Sequence, residues 1–225
     1  MKFDAVLFDC DGVLVDSEPI TIGVLRELLA ETGWALSQQE CMDHFLGRTL
    51  REERVLIEAN TGQPMTETWL SLFFERRNRE LDARLEVIAG AHTAVATAHA
   101  RTGERIACAS GADRFKVEMQ LSKVGLIDFF TGRIFSGHEM ARSKPAPDVY
   151  LAAAQHLQVP PQRCLVIEDT TTGVKAGVAA GATVWAYCPQ EEQGGALRQA
   201  GASRLFDQMA DLPELMALAN SLPSC

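Results

Sequence analysis

The amino-acid sequence predicts an α/β fold in which a doubly wound parallel β-sheet carries an inserted α-helical domain. Two observations lead to this prediction. Short apolar runs alternate with stretches of helical periodicity along most of the 225 residues, and one long segment between the first two runs has helical patterns only. With 47% hydrophobic and 23% charged residues, the chain has ample apolar material for a folded core and does not have a disordered composition.

Five apolar runs have the properties of buried central strands, because each is short and apolar on both faces. Helical stretches of roughly ten to twenty residues separate most of them, which favours parallel strands joined by right-handed crossovers. The alternation predicts a Rossmann-like core formed by residues 1–16 and 87–225. The runs are FDAVLF (Phe3–Phe8), RIACAS (Arg105–Ser110), RIFS (Arg133–Ser136), CLVIED (Cys164–Asp169) and TVWAYC (Thr183–Cys188).

The segment between the first and second strands is too long for an ordinary crossover. It shows four stretches of helical spacing, VLRELLAET, QECMDHFL, REERVLIEAN and TWLSLFFERRNRELDARL. We therefore predict a separate helical domain over residues 17–86, joined to the core by linkers near Val13–Glu18 and Leu85–Gly90.

Charge and cysteine usage restrict the classes of partner. A formal net charge of −9 argues against a nucleic acid or an anionic membrane as partner, but not against a small anionic substrate. The six cysteines are scattered without a CxxC pair, which favours reduced thiols. Aspartates in the first apolar segment are unlike a signal peptide, and no run has membrane-spanning length. We expect a cytoplasmic protein that is a monomer or a weak dimer.

Charged and hydroxyl side chains follow the predicted strands at the point where each strand ends. Because ligands bind beyond the carboxyl ends of the strands in doubly wound sheets, these side chains are expected to share one site. They are Asp9 and Asp11 with Gly12 after the first strand, Ser110 and Gly111 after the second, Lys144 in the SKPAPD loop beyond the third, and Glu168 and Asp169 at the end of the fourth.

Each of these groups, taken alone, has an ordinary explanation. An Asp-x-Asp-Gly run is typical of turns and calcium loops, Ser110-Gly111 of a helix cap, and Lys144 of a solvated surface position. Glu168-Asp169 could begin a helix, where negative charge is favourable. Since they occur in order and each at its own strand end, we interpret them as one site.

Four carboxylates at one sheet edge repel one another unless a cation joins them. Oxygen ligands without His or Cys nearby select a hard ion, so the sequence predicts a Mg²⁺ site whose candidate ligands are Asp9, Asp11, Glu168 and Asp169. A lysine, a hydroxyl group and helix N-termini at the same edge also favour binding of a phosphoryl group. The combination predicts phosphoryl transfer to an aspartate.

Four motifs resemble the ordered motifs of the haloacid dehalogenase superfamily, and within it the phosphatase and β-phosphoglucomutase branch with an α-helical cap. They are FDCDGVLVDSE, CASG, SKPAPD and IEDTTTGVKAG. The resemblance implies a phosphatase that uses Mg²⁺ and acts on a small phosphorylated metabolite, with residues 17–86 as the cap. Within the branch, the chain is similar to sugar-phosphate phosphatases of the 6-phosphogluconate type.

The resemblance also implies a role for each residue of the site. Asp9 is the expected nucleophile, which becomes an aspartyl-phosphate. Asp11 is the expected general acid–base, and in the family this residue offers the metal its backbone carbonyl. The remaining expected roles are phosphate binding by Ser110, Gly111 and Lys144, Mg²⁺ binding by Glu168 and Asp169, and substrate binding by Ser17 and Arg48 of the cap.

Departures from the relatives distinguish between reactions. Dehalogenases of the superfamily lack the second aspartate, so the presence of Asp11 argues against halide displacement. Phosphonoacetaldehyde hydrolases need a cap lysine, and residues 17–86 contain none. β-Phosphoglucomutases have a KGxSR-like cap segment, where this chain has LGRTLRE: Leu46 replaces the lysine, although Arg48 or Arg51 could compensate. We predict simple hydrolysis, with a phosphosugar mutase as the alternative.

A hypothesis of another class is a phospho-accepting receiver domain, which also combines an acidic Mg²⁺ pocket with an aspartate and a lysine. The long helical insertion and an acid–base residue two positions after the nucleophile argue against it. Stable phosphorylation without turnover would favour it.

Overall fold

The computed structural model describes residues 3–45 and 50–221. Its sheet has six strands in the order β3-β2-β1-β4-β5-β6, and every neighbouring pair is parallel. The predicted fold class is confirmed. The strands are β1 (Ala5–Phe8), β2 (Ile106–Ser110), β3 (Ile134–Ser136), β4 (Cys164–Glu168), β5 (Thr183–Tyr187) and β6 (Arg204–Phe206).

The strand order reverses beside β1. From β1 the chain first adds β2 and β3 on one side, and then crosses over to add β4, β5 and β6 on the other. Leu7 of β1 pairs with Ala107 of β2 and with Val166 of β4. The carboxyl ends of these three strands therefore lie side by side at the switch point, where doubly wound sheets bind their ligands.

The sixth strand was missed from the sequence. β6 has three residues, Arg204–Phe206, and only Phe206 is buried. A short edge strand that begins with arginine lacks the continuous apolar run that identifies the central strands. In contrast, all four residues of β1 and all five of β4 are buried, which is why those strands do not alternate between apolar and polar residues.

The chain folds as two compact units, Met1–Asp16 with Val87–Cys225 (the sheet unit) and Ser17–Glu86 (the helical unit). Every regular element in the described part of the helical unit is a helix: α1 (Glu18–Glu31), α2 (Gln38–Phe45), α3 (Arg54–Thr61) and α4 (Glu67–Arg84). The sheet unit adds α5 (Ala91–Arg101), α6 (Arg114–Lys123), α7 (Ile127–Phe130), α8 (Asp148–His156), α9 (Thr171–Ala179), α10 (Gly194–Ala200) and α11 (Leu212–Ser221).

Each unit has an apolar core of its own. In the sheet unit, strand residues such as Leu7 and Val166 pack with Val149 and Ala153 of α8. In the helical unit, α1 and α4 contribute most of the core, and its buried members include Leu25, Leu28, Leu29, Leu70 and Phe73. Full burial of an aliphatic or phenyl side chain contributes about 1.5–3 kcal/mol, so each cluster is a substantial source of stability.

Side-chain caps start the two helices that follow β2 and β4. The Asp113 carboxylate accepts a hydrogen bond from the Lys116 backbone N–H at 2.9 Å and begins α6. The Thr170 hydroxyl accepts one from the Gly173 N–H at 3.0 Å and begins α9. Because capping residues hold the first turn in place, the N-termini of both helices are fixed at the carboxyl edge of the sheet.

Candidate active site

A buried lysine joins two carboxylates that come from different strand ends. Lys144 Nζ lies 2.6 Å from Asp9 Oδ1 and 2.7 Å from Glu168 Oε1. The exposed fractions of the three side chains are 8% for Lys144, 9% for Asp9 and 1% for Glu168. Burying charges is unfavourable unless each has a partner, so this arrangement depends on all three residues.

Glu168 is oriented through both of its carboxylate oxygens. Oε1 accepts a hydrogen bond from the Tyr150 hydroxyl at 2.8 Å as well as from Lys144. Oε2 accepts bonds from the Asp169 N–H at 3.0 Å, the Thr170 N–H at 3.1 Å and the Thr170 hydroxyl at 3.1 Å. Such a network holds the carboxylate in one rotamer. Tyr150 and Thr170 are site residues that sequence reasoning missed.

Three carboxylates form a group that can hold a metal ion. Asp9, Glu168 and Asp169 each present one oxygen, and these oxygens lie within 4.8 Å of one another. An all-oxygen donor set of this kind suits a hard divalent cation such as Mg²⁺, and the geometry fits the predicted ion. The side chain of Asp11 does not belong to this group, although the sequence made Asp11 a candidate ligand.

Two glycines allow the carboxylates to approach the backbone. Gly12 has a φ of +73°, and a Cβ there would lie 2.0 Å from Asp169 Oδ2. A Cβ at Gly173 would lie 1.6 Å from Glu168 Oε1. Both distances are far shorter than real Cβ contacts, so any larger residue at either position must displace one of these three carboxylates. Only glycine fits the space that the site leaves there.

The charges around Asp9 and Glu168 shift their pKa values in opposite directions. Burial, reinforced by the negative charges of Glu168 and Asp11, raises the pKa of Asp9 to about 7, and Lys144 only partly opposes it. Burial would also raise the pKa of Glu168, but the Lys144 ammonium and the hydrogen bonds from Thr170 and Tyr150 hold that pKa below its usual value. Glu168 therefore keeps its negative charge to a lower pH than Asp9 does.

Asp11 is held by two side chains of α6. Its Oδ1 accepts hydrogen bonds from Lys116 Nζ at 2.7 Å and from Gln120 Nε2 at 2.8 Å. Both donors lie on α6 and are buried. These partners were not expected from the sequence, where RFKVEMQLSKVGL has the spacing of an ordinary helix.

The remaining predicted residues fall in different places. Ser110 is buried at the carboxyl end of β2, and its hydroxyl accepts a hydrogen bond from the Ala112 N–H at 3.0 Å. Gly111 follows, and a Cβ there would meet no atom within 4 Å. Ser17 is buried in the helical unit and directly precedes α1. The predicted substrate contact Arg48 lies outside the described residues.

Two further properties bear on the sequence predictions. None of the helices among the described residues is both long and apolar enough to cross a membrane. Five cysteines are buried free thiols, in agreement with the predicted reduced state; they are Cys10, Cys41, Cys108, Cys164 and Cys188.

The fold and the site define a haloacid dehalogenase-like hydrolase. The chain matches the model of that family over residues 3–181, and it belongs to the family. The predicted resemblance is thereby confirmed.

Individual relatives agree with this assignment. The 6-phosphogluconate phosphatase of Escherichia coli K12 is 27% identical over 215 residues, which cover 95% of each chain. A haloacid dehalogenase family hydrolase from Deinococcus radiodurans, solved with bound phosphate and sodium, is 33% identical with a TM-score of 0.80, covering 100% of this chain and 99% of that one. A haloacid dehalogenase-like protein of unknown function from Agrobacterium tumefaciens is 31% identical with a TM-score of 0.83, and the match covers 97% of this chain and 100% of that one.

The predicted enzyme class, a phosphoric monoester hydrolase of this family, is confirmed.

Proposed function

We propose that this protein is a Mg²⁺-dependent phosphatase that hydrolyses a small sugar or sugar-acid phosphate through an aspartyl-phosphate on Asp9. The observation that carries the proposal is the contact of Lys144 with both Asp9 and Glu168, beside the group of three carboxylates. In this proposal the sheet unit is the catalytic core, and the helical unit is a cap that selects the substrate.

The proposed site has positive charge where the phosphoryl group must approach an anionic nucleophile. Lys144 offsets the charge of Asp9, and the Ser110 hydroxyl and the Gly111 N–H stand at the neighbouring strand end to hold the phosphoryl oxygens. Asp9, Glu168 and Asp169 would hold Mg²⁺. When bound, Mg²⁺ supplies further positive charge that lowers the repulsion between the carboxylates and the phosphate.

The proposed reaction has two proton transfers at Asp11. In the first half, an Asp9 oxygen attacks phosphorus, the bond from phosphorus to the sugar oxygen breaks, and Asp11 gives its proton to that oxygen. In the second half, a water molecule attacks phosphorus and gives a proton to the Asp11 carboxylate. The bond between phosphorus and Asp9 then breaks, which releases inorganic phosphate and regenerates both residues.

The sugar-phosphate specificity rests on the relatives. The 27% identical protein from Escherichia coli is a 6-phosphogluconate phosphatase, and a relative in Thermotoga maritima, 27% identical over 204 residues, is a phosphorylated-carbohydrate phosphatase. Both match almost the full length of this chain. We propose that Ser17 and Arg48 of the helical unit take part in selecting such a substrate.

Steady hydrolysis of an aryl phosphate, abolished by a chelator and restored by Mg²⁺, is the result that the proposal predicts. Asp9→Asn should abolish turnover, because the amide is a poor nucleophile. A panel of phosphorylated metabolites, read by phosphate release, would then identify the preferred substrate. Metal-independent turnover, or full activity of Asp9→Asn, would refute the mechanism.

The mutase alternative predicts a different product. Incubation with β-glucose 1-phosphate and a bisphosphate primer would yield glucose 6-phosphate faster than free phosphate. The receiver alternative predicts stoichiometric phosphorylation without turnover, and membership of a hydrolase family argues against it.

A further inference from the structure

Asp11 is held by two buried side chains of one helix. Lys116 Nζ and Gln120 Nε2 both donate to Asp11 Oδ1, at 2.7 Å and 2.8 Å. Lys116 and Gln120 are four residues apart on α6 and therefore lie on the same face of the helix. The Lys116 side chain is 8% exposed and the Asp11 side chain 23%. A lysine ammonium and an amide at such depth need partners, and Asp11 is a partner that they share.

The two donors are themselves held in place. The Cys10 thiol donates to Gln120 Oε1 at 3.6 Å, which turns the amide so that its NH₂ group faces Asp11. Lys116 lies in the first turn of α6, where its backbone N–H is bound by the Asp113 cap. The contact therefore joins Asp11 to α6, which begins shortly after Ser110. Both donors belong to a helix and not to a loop.

Asp11 also lies near the carboxylates that can hold a cation. It is two residues from Asp9, close to a group of carboxylates that suits a cation. A carboxylate bound to a cation through its side chain cannot accept a proton from water efficiently. Two donors on one of its oxygens, an ammonium and an amide, hold the Asp11 carboxylate in one orientation, and its side chain is not part of the group formed by Asp9, Glu168 and Asp169.

We propose that Lys116 and Gln120 are positioning residues that hold the Asp11 carboxylate as the base for hydrolysis of the aspartyl-phosphate. This inference rests on the proposed function. The step is the second half-reaction: the water oxygen bonds to phosphorus, a water proton moves to Asp11, and the bond from phosphorus to Asp9 breaks. Lys116 and Gln120 act through Asp11 and do not touch the phosphoryl group.

The test separates the two half-reactions with 2,4-dinitrophenyl phosphate, whose leaving group needs no proton. Stopped-flow release of dinitrophenolate gives phosphorylation of Asp9 as a burst, and the steady rate that follows reports hydrolysis of the intermediate. The variants are Lys116→Met and Gln120→Leu, with Lys123→Met, an exposed lysine of the same helix, as the matched control. Each is also made in an Asp11→Asn background.

We expect Lys116→Met to keep the burst rate within about twofold and to lower the steady rate by about ten- to a hundredfold, the scale of a misplaced general base. Gln120→Leu should act in the same direction, and Lys123→Met should change neither rate. In the Asp11→Asn background the first two substitutions should have no further effect, because a residue that acts through Asp11 loses its role with it. Phosphorylated protein should accumulate during turnover of Lys116→Met.

Several outcomes would overturn the inference. A slower burst with a raised KM would make Lys116 a phosphate-binding residue, and equal effects with and without Asp11 would show that it does not act through Asp11. Additive melting temperatures for Lys116→Met and Asp11→Asn would show that the contact itself is absent, whether or not the protein turns over. A wild-type protein inactive on every phosphomonoester would refute the proposed function and the positioning role together, whereas normal wild-type turnover with additive variants would refute the positioning role alone.

Discussion

The side chains of Asp9, Asp11 and Glu168 all carry a carboxyl group, but their surroundings differ and so do their chemical properties. Glu168 is fully paired and keeps a lowered pKa, whereas Asp9 is desolvated and has a raised pKa. Asp11 is bound to an ammonium on α6. Sequence spacing predicted that these carboxylates would share one sheet edge, but the division into nucleophile, metal ligand and base that we propose depends on partners far away in the chain.

The raised pKa of Asp9 predicts that Mg²⁺ binding depends on pH. The metal-free protein keeps a proton on Asp9 below about pH 7. Since a ligand carboxylate must be deprotonated, Mg²⁺ affinity should rise by up to about tenfold per pH unit below that value and level off above it. Titration calorimetry between about pH 5.5 and about pH 8 would measure this. Asp9→Asn should flatten the slope; an equally steep slope in that variant would assign the proton to another group.

Tyr150 offers a second prediction about a single atom. Tyr150→Phe removes the hydroxyl that donates to Glu168, but keeps the ring that lies 4.8 Å from the Lys144 ammonium. A hydrogen bond to a buried charge contributes about 1.5–3 kcal/mol, so urea unfolding should show a loss of about 2 kcal/mol. Tyr187→Phe is the control, because its hydroxyl makes no hydrogen bond among the described residues. Equal losses in both variants would contradict the role given to Tyr150.

The secondary-structure elements that were predicted correctly are those whose own sequence identifies them. β1 and β4 are identified by continuous apolar runs in the sequence itself, whereas β6 has no such run and is recognised by its parallel pairing with β5. The same holds for function. The Asp9 and Glu168 motifs lie at strand ends and can be read directly from the sequence. Lys116 and Tyr150 occupy ordinary helical positions, and their contacts with Asp11 and Glu168 depend on how α6 and α8 pack.

The start of α9 gives a prediction at the level of an element. Gly173 lets the first turn of this helix lie against the Glu168 carboxylate, and a Cβ there would sit 1.6 Å from Oε1. Gly173→Ala should therefore displace either the helix or the carboxylate, with a loss of at least about 2 kcal/mol in unfolding free energy and of most phosphatase activity.

The matched control for this prediction is Gly195→Ala in α10, where a Cβ would meet no atom within 4 Å. That substitution should be neutral or stabilise by up to about 1 kcal/mol, because alanine loses less backbone entropy than glycine in a helix. Equal stability and activity of the two variants would show that the space at Gly173 has no importance for the site.

The whole chain was predictable as a sheet with an inserted helical segment because that organisation shows as a change of hydrophobic period. The path of the chain at the insertion was not predictable, since it depends on pairing between distant residues. Val15 forms an antiparallel bridge with Val87, and the Ile88 N–H donates to the Leu14 carbonyl at 3.0 Å. The chain thus leaves and re-enters the sheet unit at adjacent points.

This adjacency predicts that the sheet unit can fold without the insertion. If a short glycine-serine linker replaces Ser17–Glu86, the two ends need no rearrangement, and the separate apolar core of the sheet unit stays complete. The shortened protein should melt cooperatively, bind Mg²⁺ and retain slow hydrolysis of an aryl phosphate, because Asp9, Lys144 and Glu168 all belong to the sheet unit. It should lose its preference among sugar phosphates, since we assign that selection to the helical unit. A shortened chain with no cooperative transition in calorimetry would mean that the two units fold as one, and unchanged substrate preference would place selectivity in the sheet unit itself.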